Sequence, residues 1–178
     1  MMEEKIIVAG FGGQGVLSLG QFVAYAAIAD GKEVTWLPSY GPEMRGGTSN
    51  CSVVVSDQQV ASPIISAPDC LIAMNKPSLY KFVDKVRPGG TVIVNRSLIP
   101  DHVERNDVDV IYIDAGALAL EAGNAKTANI VVLGAYLAKS GIVSKELAAK
   151  VIEDKFARKP KVIPANLKAL ELGFAAVR

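Results

Sequence analysis

A chain of 178 residues that is half apolar, poor in aromatic side chains and rich in glycine has the composition of a single α/β domain. Its 19 lysines and arginines nearly balance its 18 aspartates and glutamates, so a nucleic-acid or anionic-membrane partner has no electrostatic support. The two cysteines, Cys51 and Cys70, form no CxxC pair, which excludes an iron–sulfur cluster or structural zinc held by this chain alone.

The start of the chain predicts a strand, a glycine-rich turn, a helix and a second strand. Residues 1–5 lack the basic and apolar regions of a signal peptide, and no apolar run could span a bilayer, so we expect a soluble, cytoplasmic protein. The apolar run Lys5–Ala9 predicts a strand buried on both faces. Val16–Ala29 has apolar residues at helical spacing, and Glu33–Leu37 predicts the second strand. These elements should form a right-handed βαβ unit with parallel strands.

The remaining chain predicts a long loop, further strands and then helices. Pro38–Asn50 has neither helix nor strand character and predicts the loop. Strands are predicted at Cys51–Val55, Cys70–Met74, Thr91–Val94 and Val108–Ile113. Helices are predicted at Pro77–Val86, Ala115–Ala122, Asn129–Ser140, Ser144–Phe156 and Ala165–Val177. The pattern predicts one domain over residues 1–178, a three-layer α/β/α Rossmann-like fold with a mostly parallel sheet and a helical C-terminal part.

The glycine turn after the first strand is the first candidate site. In a dinucleotide fold, Gly10 permits the tight turn, Gly12 admits the pyrophosphate and Gly15 allows close packing of the helix. An acid that holds the ribose should follow the second strand, but residues 36–39 contain none, and a methyltransferase would need the same acid. A weak anion site and a purely structural turn therefore both remain open. The candidate residues are Gly10, Gly12, Gly13, Gln14 and Gly15.

The loop predicted at Pro38–Asn50 is the second candidate site. It follows the second strand and should lie at the carboxyl edge of the sheet, beside the glycine turn, where ligands bind in open α/β sheets. The alternative is a solvated surface loop. As an interface, it would offer Tyr40 and Met44 as apolar anchors and Glu43 and Arg45 as polar contacts. The candidate residues for a subunit interface or active-site edge are Ser39, Tyr40, Gly41, Pro42, Glu43, Met44, Arg45, Gly46, Gly47 and Thr48.

The sequence shows no complete set of catalytic residues. His102 is the sole histidine and is predicted to lie in a surface loop. Cys51 and Trp36 are predicted to be core residues, because no base accompanies the cysteine. Neither a Ser/His/Asp set nor a metal-ligand cluster is evident. The chain has too few candidate catalytic residues for a complete enzyme.

Two segments together are distinctive. GFGGQGV (Gly10–Val16) and PSYGPEMRGGTSNCSVVVSD (Pro38–Asp57) closely resemble the gamma subunit of 2-oxoacid:ferredoxin oxidoreductases, the family of the pyruvate, 2-oxoglutarate and ketoisovalerate enzymes. Asn129–Ala135 resembles a later buried helix of that family, so the likeness extends over essentially the whole chain.

The resemblance implies that different subunits hold the cofactors for different steps of one reaction. In such enzymes a 2-oxoacid is oxidatively decarboxylated on thiamine diphosphate and Mg²⁺ between alpha and beta subunits. Electrons pass through iron–sulfur clusters, some in a ferredoxin-like delta subunit or domain, to ferredoxin, and coenzyme A accepts the acyl group.

This chain would then be a structural subunit without a cofactor of its own. Its glycine turn would bring the first helix and the loop from Pro38 to the same edge of the sheet. It lacks a GDG…N thiamine diphosphate motif and clustered cysteines. The resemblance leaves open which 2-oxoacid is used and the physiological direction. The alternative is a free-standing nucleotide-binding α/β protein.

Overall fold

A single six-stranded sheet organises the computed structural model, which describes residues 1–42 and 46–177. The strands are β1 (Glu3–Phe11), β2 (Glu33–Tyr40), β3 (Thr48–Ser56), β4 (Cys70–Ala73), β5 (Thr91–Asn95) and β6 (Asp109–Ile113). Their order across the sheet is β2-β3-β1-β4-β5-β6. β1, β4, β5 and β6 pair in parallel, whereas β3 is antiparallel to both neighbours. The predicted α/β class with a mostly parallel sheet is confirmed.

Helices cover the two faces of the sheet unequally. They are α1 (Val16–Ala29), α2 (Lys76–Phe82), α3 (Ala115–Glu121), α4 (Ala128–Ser140), α5 (Lys145–Lys155) and α6 (Ile163–Ala175), with 3₁₀ turns at Val83–Lys85, Ala125–Thr127 and Pro160–Val162. The larger core cluster joins one sheet face to α1, α3, α4, α5 and α6, and the smaller cluster joins the other face to α2. Because α4 packs against the sheet and against α3 and α6, its residues 129–137 are all buried.

The β2–β3 hairpin is where the structure departs from the predicted strand arrangement. β1 and β2 do run in the same direction, but β3 lies between them, so the predicted βαβ unit is not a pair of neighbouring strands. β2 is the edge strand and contains Pro38, which an edge tolerates because no neighbour needs its missing N–H. The prediction of a loop over Pro38–Asn50 is therefore wrong at both ends. Residues 38–40 belong to β2 and residues 48–50 to β3.

Several predicted helix ends lie close to those in the structure, and the differences have local causes. Ser144, where the sequence predicts that a helix begins, caps α5, since its Oγ accepts a hydrogen bond from the Leu147 N–H at 3.1 Å. The helix predicted to run from Pro77 to Val86 instead ends at Phe82 and continues as a 3₁₀ turn. The helix predicted from Ala165 instead begins at Ile163 and includes Pro164 in its first turn, where a missing N–H costs no intrahelical bond.

Two glycines allow α4 and α6 to pack in direct backbone contact. A Cβ built on Gly173 would lie 2.7 Å from the Val131 carbonyl carbon, and one on Gly134 would lie 2.7 Å from the Phe174 nitrogen. Larger residues at either position would push the helices apart. Among the described helices, none is long and apolar enough to cross a membrane.

Candidate functional site

The glycine turn connects β1 to α1 at the carboxyl edge of the sheet. Gly13 and Gly15 have φ angles of 96° and 73°, in the left-handed region that glycine adopts without strain. Gly15 directly precedes α1 and, as a glycine, has no side chain that could cap the helix. The first N–H groups of a helix have no partner inside it, so this end of α1 retains donors for water or for an anion.

The side chain of Gln14 fills the inside of the turn. Its Oε1 accepts a hydrogen bond from the Phe11 N–H at 2.7 Å, and its Nε2 donates to the Met74 carbonyl at 3.2 Å. A Cβ on Gly10 would lie 2.5 Å from this Oε1 and 2.8 Å from the Met74 Cβ. Gly10 therefore makes room for Gln14, which ties the end of β1 to the end of β4.

A backbone hydrogen bond joins the glycine turn to the β2–β3 hairpin. The Gly12 N–H donates to the Gly47 carbonyl at 2.8 Å, and Phe11 pairs with Thr48 in the β1–β3 ladder. The predicted position of the second segment beside the turn is confirmed. In a dinucleotide site the backbone at Gly12 would approach the pyrophosphate, but here its N–H is already bonded to protein.

Gly15 permits close contact with α4. A Cβ on Gly15 would lie 2.7 Å from the Asn129 Cγ, and Asn129 Nδ2 donates to the Gly15 carbonyl at 3.2 Å. The dinucleotide pattern predicts that Gly15 lets the helix pack closely on the strand. In the structure, Gly15 instead contacts α4. An asparagine in the first turn of a largely apolar helix is the available signal for Asn129.

A cavity of about 300 Å³, open to solvent, lies between the glycine turn and the β2–β3 hairpin. It is lined by Phe11, Gly12, Gly13, Gly15, Val16, Leu17, Ser18, Tyr40, Thr48 and Ser49. Their polar groups are hydroxyls and backbone amides, and no charged side chain lines the cavity among the described residues. Such a lining can hold a neutral or anionic group by hydrogen bonds but supplies no general base.

The strand order separates β2 from the glycine turn. In the dinucleotide fold the ribose-binding acid follows a strand that neighbours the first one. Here β3 lies between them, so the end of β2 is two strand spacings away, roughly 10 Å. Residues 36–40 also contain no acid. Both observations favour the structural role of the turn over a dinucleotide site.

The structure distributes the predicted interface residues over three elements. Ser39 and Tyr40 end β2, Thr48 begins β3, and the remaining described members are Gly41, Pro42, Gly46 and Gly47 in the hairpin loop. Glu43, Met44 and Arg45 lie outside the described residues. Tyr40 is 57% exposed, as a docking anchor requires. The interface itself stays a prediction.

The residues considered for catalysis have the structural positions that the sequence predicted. Cys51 is fully buried, and burial raises the pKa of its thiol to about 12, so it is not a thiolate nucleophile at neutral pH. Cys70 is also a buried free thiol. His102 is exposed outside helices and strands and packs edge-to-face on Tyr112, with ring centroids 5.5 Å apart. Within residues 1–42 and 46–177, no three His, Cys, Asp or Glu side chains could hold a metal ion.

Comparison with known proteins identifies the family. The sequence model described as pyruvate ferredoxin/flavodoxin oxidoreductase matches residues 5–176. The chain belongs to this family. A curated member, ketoisovalerate oxidoreductase subunit VorA of Methanothermobacter marburgensis, is 42% identical over 173 residues, which are 96% of this chain and 36% of VorA. The chain thus spans about a third of that relative's length.

Two solved structures share the fold of this family member. The gamma subunit of keto/oxoacid ferredoxin oxidoreductase from Geobacter sulfurreducens is 33% identical with a TM-score of 0.82, and the match covers 98% of both chains. The 2-oxoglutarate:ferredoxin oxidoreductase from Magnetococcus marinus, with 2-oxoglutarate, coenzyme A and succinyl-CoA bound, is 28% identical with a TM-score of 0.90. That match covers 99% of this chain and 31% of the other. The same fold therefore occurs both as a separate subunit and within a longer chain.

Proposed function

We propose that this chain is the gamma-type subunit of a multi-subunit, thiamine diphosphate-dependent 2-oxoacid:ferredoxin oxidoreductase. The observation that carries the proposal is the match to a solved gamma subunit over 98% of both chains at 33% identity. The reaction would be the oxidative decarboxylation of a 2-oxoacid to acyl-CoA, with reduction of ferredoxin. The substrate class is a 2-oxoacid, because the relatives' names include both ketoisovalerate and 2-oxoglutarate enzymes.

The side chains at the carboxyl edge support a non-catalytic role within that complex. Among the described residues, no charged side chain lines the cavity at the glycine turn, and the Cys51 thiol is buried and protonated. Mg²⁺ with a diphosphate requires carboxylate or amide oxygens as ligands, and this cavity has no carboxylate among its described lining residues. Thiamine diphosphate, Mg²⁺ and the iron–sulfur clusters would accordingly be held by alpha, beta and ferredoxin-like delta subunits or domains.

The glycine turn and the β2–β3 hairpin would position a partner subunit rather than take part in the reaction. Gln14 and the Gly12–Gly47 hydrogen bond hold the hairpin base against the sheet edge, so a partner meets a surface that is already ordered. Preorganisation lowers the entropic cost of docking. The amides at the start of α1 remain suited to one anionic group, such as a phosphate of the complex's coenzyme A.

Paired tyrosine variants test this role in a complex reconstituted from the partner subunits. Tyr40 and Tyr80 are 57% and 58% exposed, but only Tyr40 lies at the proposed interface. We expect Tyr40→Ala to weaken assembly about tenfold or more, as for an interface anchor, and Tyr80→Ala to assemble normally. The isolated chain should show no 2-oxoacid oxidation. Normal assembly and coenzyme A-dependent turnover by Tyr40→Ala would contradict the interface, and turnover by the isolated chain would contradict the non-catalytic role.

A further inference from the structure

A second depression, of about 370 Å³, lies between α1, α4, α5 and α6. We call it the lysine cleft, because Lys126, Lys155 and Lys159 line it. The other lining residues are Ser18, Phe22, Asn124, Thr127, Asn129, Ile130, Phe156, Val162 and Asn166. None of these is acidic. The cleft is therefore a concave surface of one charge sign.

The lysines of the cleft lack acidic partners within the described parts of the chain. Seven other cations form ion pairs with a carboxylate, for example Lys76 with Asp101 at 3.0 Å and Arg105 with Asp107 at 2.6 Å. No ion pair within residues 1–42 and 46–177 includes Lys126, Lys155 or Lys159. Three ammonium groups without counter-charges produce a positive potential that attracts carboxylates.

Aromatic side chains form the wall beneath one of these lysines. The rings of Phe22 and Phe156 are 6.2 Å apart. Lys155 Nζ lies 5.7 Å from the Phe22 ring and 5.9 Å from the Tyr25 ring, and it donates to Gln21 Oε1 at 3.1 Å. Lys155 is thus held over α1 with its charge still free to meet a carboxylate.

The surface continues beyond Lys155 into another groove between α1 and α5. This groove has a volume of about 340 Å³ and is lined by Tyr25, Ala29, Val151, Asp154 and Lys155. Tyr25 is 50% exposed, and Ile28, one turn further along α1, is 55% exposed. Asp154 and Lys155 are the charged residues among those that line this groove, and the other three are apolar or aromatic. Exposed Tyr and aliphatic side chains beside cations are typical of a protein interface.

We propose that the lysine cleft and the adjoining α1–α5 groove dock an acidic segment of a partner subunit, with carboxylates on the lysines and an apolar side chain beside Tyr25. This inference rests on the proposed function as a subunit. The occupant is acidic because, among the described residues, three lysines without an ion pair and no acid line the cleft. It is a protein segment because two depressions sharing Lys155 extend along two helices, further than a single anion would fill.

Lysine acetylation footprinting of the purified complex tests the proposal directly. We expect Lys126, Lys155 and Lys159 to react several-fold more slowly in the complex than in the isolated chain. Zero-length carboxyl-to-amine cross-linking should then join Lys155 or Lys159 to an Asp or Glu of a partner subunit. Equal reactivity in an intact complex would overturn the inference and leave the proposed function standing. Failure to find any complex would contradict the proposed function itself.

Charge reversal supplies an independent test, with a control on the other face of the sheet. Lys155→Glu with Lys159→Glu should weaken assembly about tenfold or more, since each places a negative charge against a carboxylate. Lys85→Glu, an exposed lysine on the α2 side of the sheet without an ion-pair partner among the described residues, should leave assembly unchanged. An unchanged double variant would overturn the proposal, provided that its circular dichroism and melting temperature match those of the parent.

Two other occupants would give different footprints. Protection of the three lysines in the isolated chain by inorganic phosphate or pyrophosphate would show a small-anion site and contradict a protein segment. Protection that rises with the concentration of the isolated chain would show that a second copy covers the surface. Either result would replace the acidic partner segment as the occupant.

Discussion

At the scale of single residues, the glycine turn offers a matched pair of substitutions. Gly13 and Gly15 both have positive φ, but a Cβ on Gly13 would meet nothing within 4 Å, whereas one on Gly15 would meet Asn129. Gly13→Ala should cost only the backbone strain, about 1–2 kcal/mol. Gly15→Ala adds steric overlap with α4, so we expect a total loss of about 2–4 kcal/mol. Urea unfolding of both variants measures the difference, and equal losses would contradict the α1–α4 contact.

The pairing of Glu4 with Tyr136 gives a pH-dependent prediction. The Tyr136 hydroxyl donates to Glu4 Oε1 at 2.9 Å, and burial raises the pKa of the Glu4 carboxyl above its ordinary value. A carboxyl with a raised folded-state pKa contributes stability while protonated, and this contribution is lost as pH rises through the folded-state pKa. Gln at this position stays neutral and keeps an oxygen acceptor. Glu4→Gln should therefore gain stability relative to the parent as the pH rises from acidic values towards neutrality.

Urea unfolding across that pH range checks this prediction. Glu3→Gln, on the same strand, controls for the loss of one negative charge, since Glu3 is exposed and its ion pair with Lys5 at 3.0 Å lies at the surface. A difference between Glu4→Gln and the parent that stays constant with pH would show that Glu4 does not titrate in this range. A difference of the same size for Glu3→Gln would assign the effect to net charge.

At the scale of elements, the α4–α6 contact depends on Gly173. Alanine is favoured over glycine inside a helix by about 1 kcal/mol, which alone would make Gly173→Ala stabilising. A Cβ at this position would, however, overlap the Val131 backbone, and overpacking against backbone costs about 1–3 kcal/mol or more. We expect a net loss of about 2 kcal/mol in urea unfolding. Lys168→Ala, at an exposed position on the same helix, should change the free energy of unfolding by less than about 0.5 kcal/mol. Stabilisation by Gly173→Ala would contradict the α4–α6 contact.

The elements that sequence reasoning placed best were those whose local pattern determines them. The buried run of β1, the apolar helix α4 and the Ser144 cap of α5 all follow from neighbouring residues. The loop prediction is wrong only at the hairpin ends of β2 and β3, residues 38–40 and 48–50, because Pro38 and the glycines of the segment indicate irregular structure. Whether Pro38 sits in an edge strand depends on strand order, which is a long-range property.

The candidate site was predictable in location but not in its internal contacts. The glycine turn and the second segment follow strands whose ends share an edge, and the structure brings them together. The Gln14 bridge to Met74 and the Asn129 contact with Gly15 join residues 60 and 114 positions apart. No local pattern indicates such pairs, so the separate packing role of each glycine became evident only from the fold.

At the scale of the whole molecule, the strand order predicts poor dinucleotide binding. β3 separates the glycine turn from the end of β2, and that end has no acid for a ribose. Titration calorimetry with NAD and with NADP should therefore show no binding in the micromolar range. Micromolar or tighter binding of either would contradict the structural role of the turn and favour a free-standing nucleotide-binding protein.

Purification of the tagged chain from its native host, followed by native mass spectrometry and cofactor analysis, tests the central claim most directly. A gamma-type subunit should copurify in fixed stoichiometry with larger subunits that contain thiamine diphosphate and iron, and this assembly should reduce ferredoxin with a 2-oxoacid and coenzyme A. Removal of the chain from the assembly should leave thiamine diphosphate and iron with the partner subunits. Recovery of the chain alone, without such partners and with a tightly bound nucleotide, would contradict the account.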